Sequence, residues 1–175
     1  GELVDALRGE APWPDHDPVD RLAAVHRPPP DLSDVQGQPV ARHALEIAAA
    51  GGHHTLFIGP PGAGKTMLAS RLPGLLPPLG RERALEVTMI HSASGIALPP
   101  GGLVREPPFR APHHTSSQVS LVGGGSQHIR PGEVSIAHGG ILFMDELAEF
   151  APSVLDGLRQ PLESQVVNVS RAEIR

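Results

Sequence analysis

Thr55-Leu-Phe-Ile58, followed directly by Gly59-Pro-Pro-Gly-Ala-Gly-Lys65-Thr66, is the stretch on which the reading of this chain turns. Three apolar residues after a threonine, in a run bounded by glycines and prolines, predict a short buried strand. The eight residues after it fit G-x-x-x-x-G-K-[ST], a pattern whose physical context is a loop between a strand and a helix. Glycines at 59, 62 and 64 let the backbone fold tightly enough for successive N–H groups to point inward, and a helix starting there adds the positive end of its dipole. Such a loop holds phosphate oxygens. Gly59, Pro60, Pro61, Gly62, Ala63, Gly64, Lys65, Thr66 and Met67 are therefore candidate nucleotide contacts, with Lys65 bridging the β- and γ-phosphates and Thr66 placing its hydroxyl on Mg2+. Lys65 is the only lysine in the chain, the other thirteen basic residues being arginine. The one compact ammonium thus stands where a point charge among phosphates is wanted.

Further along, Ile141-Leu-Phe-Met-Asp145-Glu146 carries two carboxylates to the end of a second apolar run. Alone, such a run also describes a solvated strand end. Paired with the phosphate loop it gains a purpose, because a buried strand delivers its acids to the sheet edge beside the phosphates. Asp145 is the candidate to hold Mg2+ through its water shell, and Glu146 to orient and deprotonate an attacking water.

Around these two segments the chain reads as helix, strand, helix, helix, insertion, strand and helix. Ser33 and Gln36 have capping-box spacing and Pro39 suits a first turn, which predicts a helix running to Ala50 and ending at Gly51-Gly52. Helices are predicted from Gly64 to Leu72, from Arg81 to Ile90 and from Pro152 onward, and Val167-Asn-Val169 alternates as a hairpin strand does. Strand, helix and strand in this order imply an α/β fold with a parallel sheet flanked by helices. Residues 91–138 separate the two motifs by more than a plain crossover needs, with Gly101-Gly102, Pro107-Pro108 and Gly123-Gly-Gly125 as breakers.

With 175 residues there is room for one domain with a core, and no apolar run has the ~20 residues that cross a bilayer. Gly and Pro supply 20 residues each while aromatic residues make up only 3%, the composition of a loop-rich domain. The absence of cysteine excludes disulfides and thiolate metal sites, and with no signal-peptide pattern the cytoplasm is the expected compartment. Residues 1–35 hold eight acids against three arginines, whereas eleven acids balance eleven bases from Gln36 onward. Residues 1–30 are accordingly read as an acidic, proline-rich linker, with residues 1–9 either the end of an upstream domain or a frayed helix.

Within the insertion and after it stand Phe109-Arg-Ala-Pro-His-His-Thr115, Gly123-Gly-Gly125, Pro131-Gly-Glu-Val-Ser-Ile-Ala-His138 and Leu158-Arg-Gln-Pro-Leu-Glu163. Together with Asp145-Glu146 these resemble the magnesium-chelatase-like AAA+ ATPases, and among them the YifB/ComM branch, over residues 31–175. The resemblance implies a P-loop NTPase fold in which the loop and the acidic pair are the Walker A and Walker B motifs. It also implies an insertion in the second helix over about 95–130 and a β-hairpin over about 164–172. Asp31-Leu-Ser-Asp-Val-Gln-Gly37 matches the family segment that lies against adenine, so the resemblance makes Val35 and Gly37 candidate base contacts. It further implies ATP and Mg2+ as ligands, a homo-oligomeric ring, hexameric at full length, and no membrane.

Set against that family the chain reads as a truncated AAA+ core, stopping at Arg175 before the first sensor, the arginine finger and the helical lid. It is expected to bind nucleotide better than it hydrolyses it, since loss of a trans-acting arginine lowers the rate on the order of 10³- to 10⁵-fold. The activity so implied is an ATP-driven motor that remodels or migrates branched DNA in transformation and recombination; the alternative is the motor subunit of a magnesium chelatase acting on a protein partner. Arg105, Arg110 and Arg130 give the insertion its positive charge and would face DNA phosphates in a ring pore, although three solvated arginines are equally what an ordinary surface carries. No interleaved aromatics of the kind that stack on bases accompany them. His53-His54 and His113-His114 lack a completed ligand set, and neighbours on a strand point to opposite faces, so each pair offers one ring to a site unless the chain turns.

Overall fold

A computed structural model describes residues 30–125 and 129–167. It opens with a 3-10 turn, Leu32–Asp34, whose cap is Asp31: the Ser33 N–H donates to the Asp31 carboxylate at 2.7 Å. That donor holds the Asp31 carboxyl below its ordinary value. Helix α1, Pro39–Gly51, follows only after the left-handed residues Gly37 and Gln38, and no side chain caps it. The capping box expected of Ser33 and Gln36 is therefore not used. Asp31 takes the Ser33 amide instead, and Pro39 at the first turn has no N–H to cap. The other end agrees with expectation, with Gly52 in the left-handed region and its N–H donating to Ala48.

Thr55–Ile58 departs most from the sequence reading. Among the described residues it pairs with no strand, and Leu56 and Ile58 are 69% and 89% exposed while Phe57 packs on the first core. The parallel pair lies elsewhere: strand β1, Phe109–Arg110, runs beside a strand at Ile141–Leu142, in register Phe109 with Ile141 and Arg110 with Leu142. Bonds from the Ile141 and Phe143 amides to the Pro108 and Arg110 carbonyls, both 2.8 Å, extend the pairing at each end. Close approach there requires Gly140, because a Cβ on it would come within 2.0 Å of the Pro108 carbonyl oxygen.

After the phosphate loop come α2 (Lys65–Ala69), α3 (Leu72–Leu75) and α4 (Arg81–Ala93). The helix expected to reach Leu72 breaks at Ser70 and Arg71, where Ser70 Oγ donates to the Met67 carbonyl and Pro73 lies just beyond. The third extends three residues past Ile90, and Ser94 Oγ donates to the Ile90 carbonyl at its end. The insertion region holds α5 (Gln118–Val122), capped by Ser117, then β2 (Gly123–Gly124) antiparallel to β3 (Arg130–Pro131), then α6 (Glu133–Ile136). Ile141–Leu142 is β4. A 3-10 turn, Leu147–Glu149, and helices α7 (Pro152–Gly157) and α8 (Arg159–Ser164) follow. The hairpin expected over about 164–172 starts on a residue that still belongs to α8, and most of it, Asn168 and Val169 included, lies outside the described residues.

Three apolar clusters hold these elements. Leu32, Val35, Leu45 and Leu68 join the first segment and α1 to the helix after the loop. Leu121, Phe150, Val154 and Leu158, with Leu142 and Met144 against them, anchor the acid-bearing strand. Leu79, Ala84 and Val87 pack with Leu103 and Val104. Each fully buried aliphatic side chain contributes roughly 1.5–3 kcal/mol through water removal alone. The outcome is a mixed helix and sheet architecture with a small parallel sheet, and among the described residues no helix is long and apolar enough to cross a membrane.

Candidate functional site

The loop takes the backbone its glycines permit: Gly62 and Gly64 have φ of 77° and 80°, a region that L side chains rarely adopt. The Ala63 amide turns back to the Pro60 carbonyl at 3.3 Å, and α2 begins at the next residue but one. Lys65 Nζ donates to the Gly59 and Pro60 carbonyls, both at 2.9 Å, so the ammonium is folded over the loop it serves. Those two carbonyl oxygens hold the cation in the part that phosphate oxygens would take.

Thr66, one residue further, closes the site. Its hydroxyl donates to Asp145 Oδ2 at 2.7 Å across 79 residues of sequence. The acidic pair is brought there by β4 and the second core; at its end Asp145 Oδ1 accepts the Glu146 amide at 3.0 Å and Glu146 adopts φ 51°, ψ 51°. This left-handed step at a non-glycine residue turns the chain sharply, and Glu146 leaves its carboxylate 66% exposed. The Thr66 hydroxyl and the Asp145 carboxylate therefore share one place, with Glu146 next along the chain and its Oε2 3.5 Å from His114 Nδ1. The hydroxyl and Asp145 are hard oxygen donors, the type that suits Mg2+, and Lys65 is the one ammonium beside them, on a loop of the residue types that can turn amides toward an anion.

Of the remaining candidates, Met67 is exposed, and its carbonyl accepts from Ser70 Oγ and from an Arg71 N–H, both at 2.8 Å. Val35 is 2% exposed, its side chain buried in the first core, so only its backbone can border a ligand; Gly37 stands in open space with φ 72°. Arg105 and Arg130 are exposed, whereas Arg110 is turned to Glu133 in a two-pronged ion pair, Nε to Oε2 at 2.5 Å and an NH2 nitrogen to Oε1 at 2.7 Å. That carboxylate raises the guanidinium above its usual value. His113 and His114 do not point apart as strand neighbours would: the chain turns at His114, and the two rings meet at a tilt of 36° with centroids 4.0 Å apart.

Three contacts were not foreseen. Gln38 Nε2 donates to the Ala63 carbonyl at 3.3 Å, linking the segment before α1 to the phosphate loop. Arg71 ties the same early segment to the end of α2, its Nε donating to the Asp31 carbonyl at 3.1 Å and a second guanidinium N–H to the Met67 carbonyl at 2.8 Å. His114 Nδ1 lies 3.5 Å from Glu146 Oε2. A left-handed Gly-Gln pair before a helix-opening proline is the one sequence signal that marks Gln38.

With this geometry in hand, comparison with known proteins is specific. A family profile described as magnesium chelatase, subunit ChlI, matches residues 31–175. YifB, described as an uncharacterized protein of Escherichia coli (strain K12), is 52% identical over 149 residues, covering 83% of this chain and 28% of YifB. The competence protein ComM of Haemophilus influenzae is 46% identical over 177 residues, 99% of this chain and 34% of ComM. An uncharacterized protein of Mycobacterium tuberculosis (strain H37Rv) is 56% identical over 143 residues, 82% and 28% respectively. The chain thus spans about a third or less of the length of these relatives.

Proposed function

This chain belongs to the magnesium chelatase, subunit ChlI, family, in its YifB/ComM branch, and on that premise we propose that it is the nucleotide-binding part of an ATP-hydrolysing AAA+ motor. The observation that supports this most directly is the 2.7 Å bond from Thr66 to Asp145, because it joins the phosphate loop to the acidic strand end at the point where Mg2+ would be held.

In this reading the Lys65 ammonium exchanges the Gly59 and Pro60 carbonyls for the β- and γ-phosphate oxygens of ATP, and the loop amides surround the same anion. Thr66 and Asp145 would hold Mg2+, Asp145 through water. When bound, that ion neutralises charge on the phosphates and orients them for in-line attack. Glu146 accepts the proton of the attacking water. Its exposed carboxylate beside a fixed backbone suits that task. Gln38 braces the loop through the Ala63 carbonyl, and Arg71 ties the segment before α1 to the end of α2 behind it. Gly37 and the Val35 backbone border the adenine.

The whole protein, in this proposal, is a homo-oligomeric ring, a hexamer, that remodels or migrates branched DNA, with Arg105 and Arg130 facing the polyanion. The Arg110–Glu133 pair instead ties β1, the neighbour of the acid-bearing strand, to α6. The family description favours one other reading, the motor subunit of a metal chelatase acting on a protein partner. ATP hydrolysis by the full-length protein, measured with and without branched DNA over a salt series, tests both. Stimulation together with a salt-sensitive complex is the expected result, and indifference to DNA removes the DNA motor.

A further inference from the structure

Arg71 stands just past the helix that opens with Lys65 and Thr66, and its guanidinium joins two parts of the site that the chemistry above treats separately. We propose that Arg71 is a positioning residue for base recognition: by holding the Asp31 carbonyl against the end of α2, it sets the base-bordering segment in register with the phosphate loop. A nucleotide is then gripped by base and phosphates together. The proposal rests on the reading of Val35 and Gly37 as the border of the adenine.

The way α2 ends calls for one donor, and Arg71 supplies two. The Arg71 amide donates to the Leu68 carbonyl at 3.1 Å, which leaves the Met67 carbonyl to side chains. Ser70 Oγ and one arm of the Arg71 guanidinium take it, both at 2.8 Å, and a cation suits a helix C-terminus. Capping of α2 explains that arm but not the other, in which Nε donates to Asp31 at 3.1 Å.

Asp31 heads a hydrogen-bonded unit. Its carboxylate accepts the Ser33 amide, its carbonyl also accepts the Asp34 amide at 3.2 Å, and the Val35 amide closes on Leu32 at 3.1 Å. Leu32 and Val35 are buried in the first core with Leu68 of α2. Apolar packing is non-directional, so it keeps this turn on the helix without fixing how far the turn slides along it. The far end of the segment is tied separately, by Gln38 to the Ala63 carbonyl ahead of α2. Val35 and Gly37 thus lie between two anchors, one at a residue after α2 and one at a residue before it. A ligand that fills both parts of the site gains from their being preset relative to one another, whereas a ligand that fills only the phosphate loop does not.

The test is calorimetric affinity of the full-length protein, with Mg2+ present, for ATP and for inorganic tripolyphosphate, which carries the phosphates without a base. Wild type should bind ATP more tightly by about 10-fold or more. Arg71→Met keeps an apolar stem and removes both donors; Arg71→Lys keeps the charge but not the planar fork that serves two carbonyls. Arg71→Met is expected to weaken ATP by about 5- to 20-fold and tripolyphosphate by no more than about twofold, with Arg71→Lys between wild type and Met. Lys65→Ala, by contrast, should weaken both probes alike. Unchanged ATP affinity in Arg71→Met, or equal losses for the two probes, would overturn the assignment. Should the Met variant fail to fold, the Lys variant decides in the same directions, an undiminished preference for ATP counting against Arg71. A wild-type protein that does not prefer ATP removes the base border and the role of Arg71 with it, whereas a wild-type preference carried intact into the Arg71 variants overturns only Arg71.

Discussion

The two halves of the site are held in opposite ways. The half that carries the acids is paired and enclosed: β4 lies against β1, Gly140 touches the Pro108 backbone, and Leu121, Phe150, Val154 and Leu158 close beneath it. Among the described residues the half that carries the phosphate loop has no strand pairing and rests on side-chain packing in the first core, Phe57 included, with Leu56 and Ile58 exposed and nothing within 4 Å of where a Cβ would sit on Gly37, Gly52 or Gly62. Glycine in the first half makes room, and in the second it permits a conformation. A fixed acid strand and a loosely framed phosphate loop meeting through one hydroxyl bond is an arrangement in which ligand contacts, more than the fold, complete the loop.

Removing the base breaks that comparison most sharply on the acid side. Glu146→Gln in the full-length protein should lower turnover by about 10²- to 10⁴-fold while leaving nucleotide affinity in place, because the amide keeps the shape and loses the proton acceptor. Rapid-quench hydrolysis with a parallel binding titration checks it, and normal turnover would remove Glu146 as base.

On the loop side the next largest effect is expected from Lys65→Ala. The only ammonium in the chain is folded over the loop, and without it the phosphate charge loses its cation, so affinity for ATP should fall by about 100-fold or more. Calorimetry reads this directly. An unchanged affinity would mean that amides alone hold the phosphates.

Much of this site is legible in the sequence, and the reason is local. Gly62, Gly64, Lys65 and Thr66 work through backbone conformation and through neighbours in the chain, and Asp145-Glu146 sit at the end of an apolar run, so spacing alone finds them. Pairing is another matter. The apolar run Thr55–Ile58 looks like a buried strand by composition, yet a period of two carries no record of which strand lies beside it, and the parallel partner of Ile141–Leu142 proves to be the two-residue segment Phe109–Arg110 inside a stretch that reads as loop. Gln38, Arg71 and His114 are missed for the same reason: each reaches across space to a group that no sequence interval predicts. Arg110 shows the converse: a positive charge in a loop suggests an outward role, and no sequence interval shows that Glu133 pairs with it.

Gly140→Ala probes the enclosed half without touching the chemistry. Its Cβ would fall 2.0 Å from the Pro108 carbonyl oxygen and 2.6 Å from the Pro108 nitrogen, backbone atoms that cannot rotate away. The β1–β4 pair must part, at a cost of about 1–3 kcal/mol or more, seen as a lower midpoint in denaturant. A neutral result would show that the pair is looser than the packing implies.

Ile58→Thr asks whether the other half is as open as it looks, and its expected effect is the smallest. Ile58 is 89% exposed, and threonine keeps the branched Cβ, so neither backbone preference nor burial changes much and stability should stay within about 0.5 kcal/mol. Chemical denaturation of the 175-residue chain and of the full-length protein, run side by side, gives the comparison its edge. Equal and negligible effects would confirm that the loop half is framed without strand pairing. A loss of roughly 1–3 kcal/mol confined to the longer protein would show that Ile58 is covered there, because burying a hydroxyl in place of an ethyl group forfeits transfer energy and leaves a polar group to satisfy. The asymmetry between the two halves would then belong to the shorter chain alone, and the phosphate loop would stand on a sheet as firmly as the acids do.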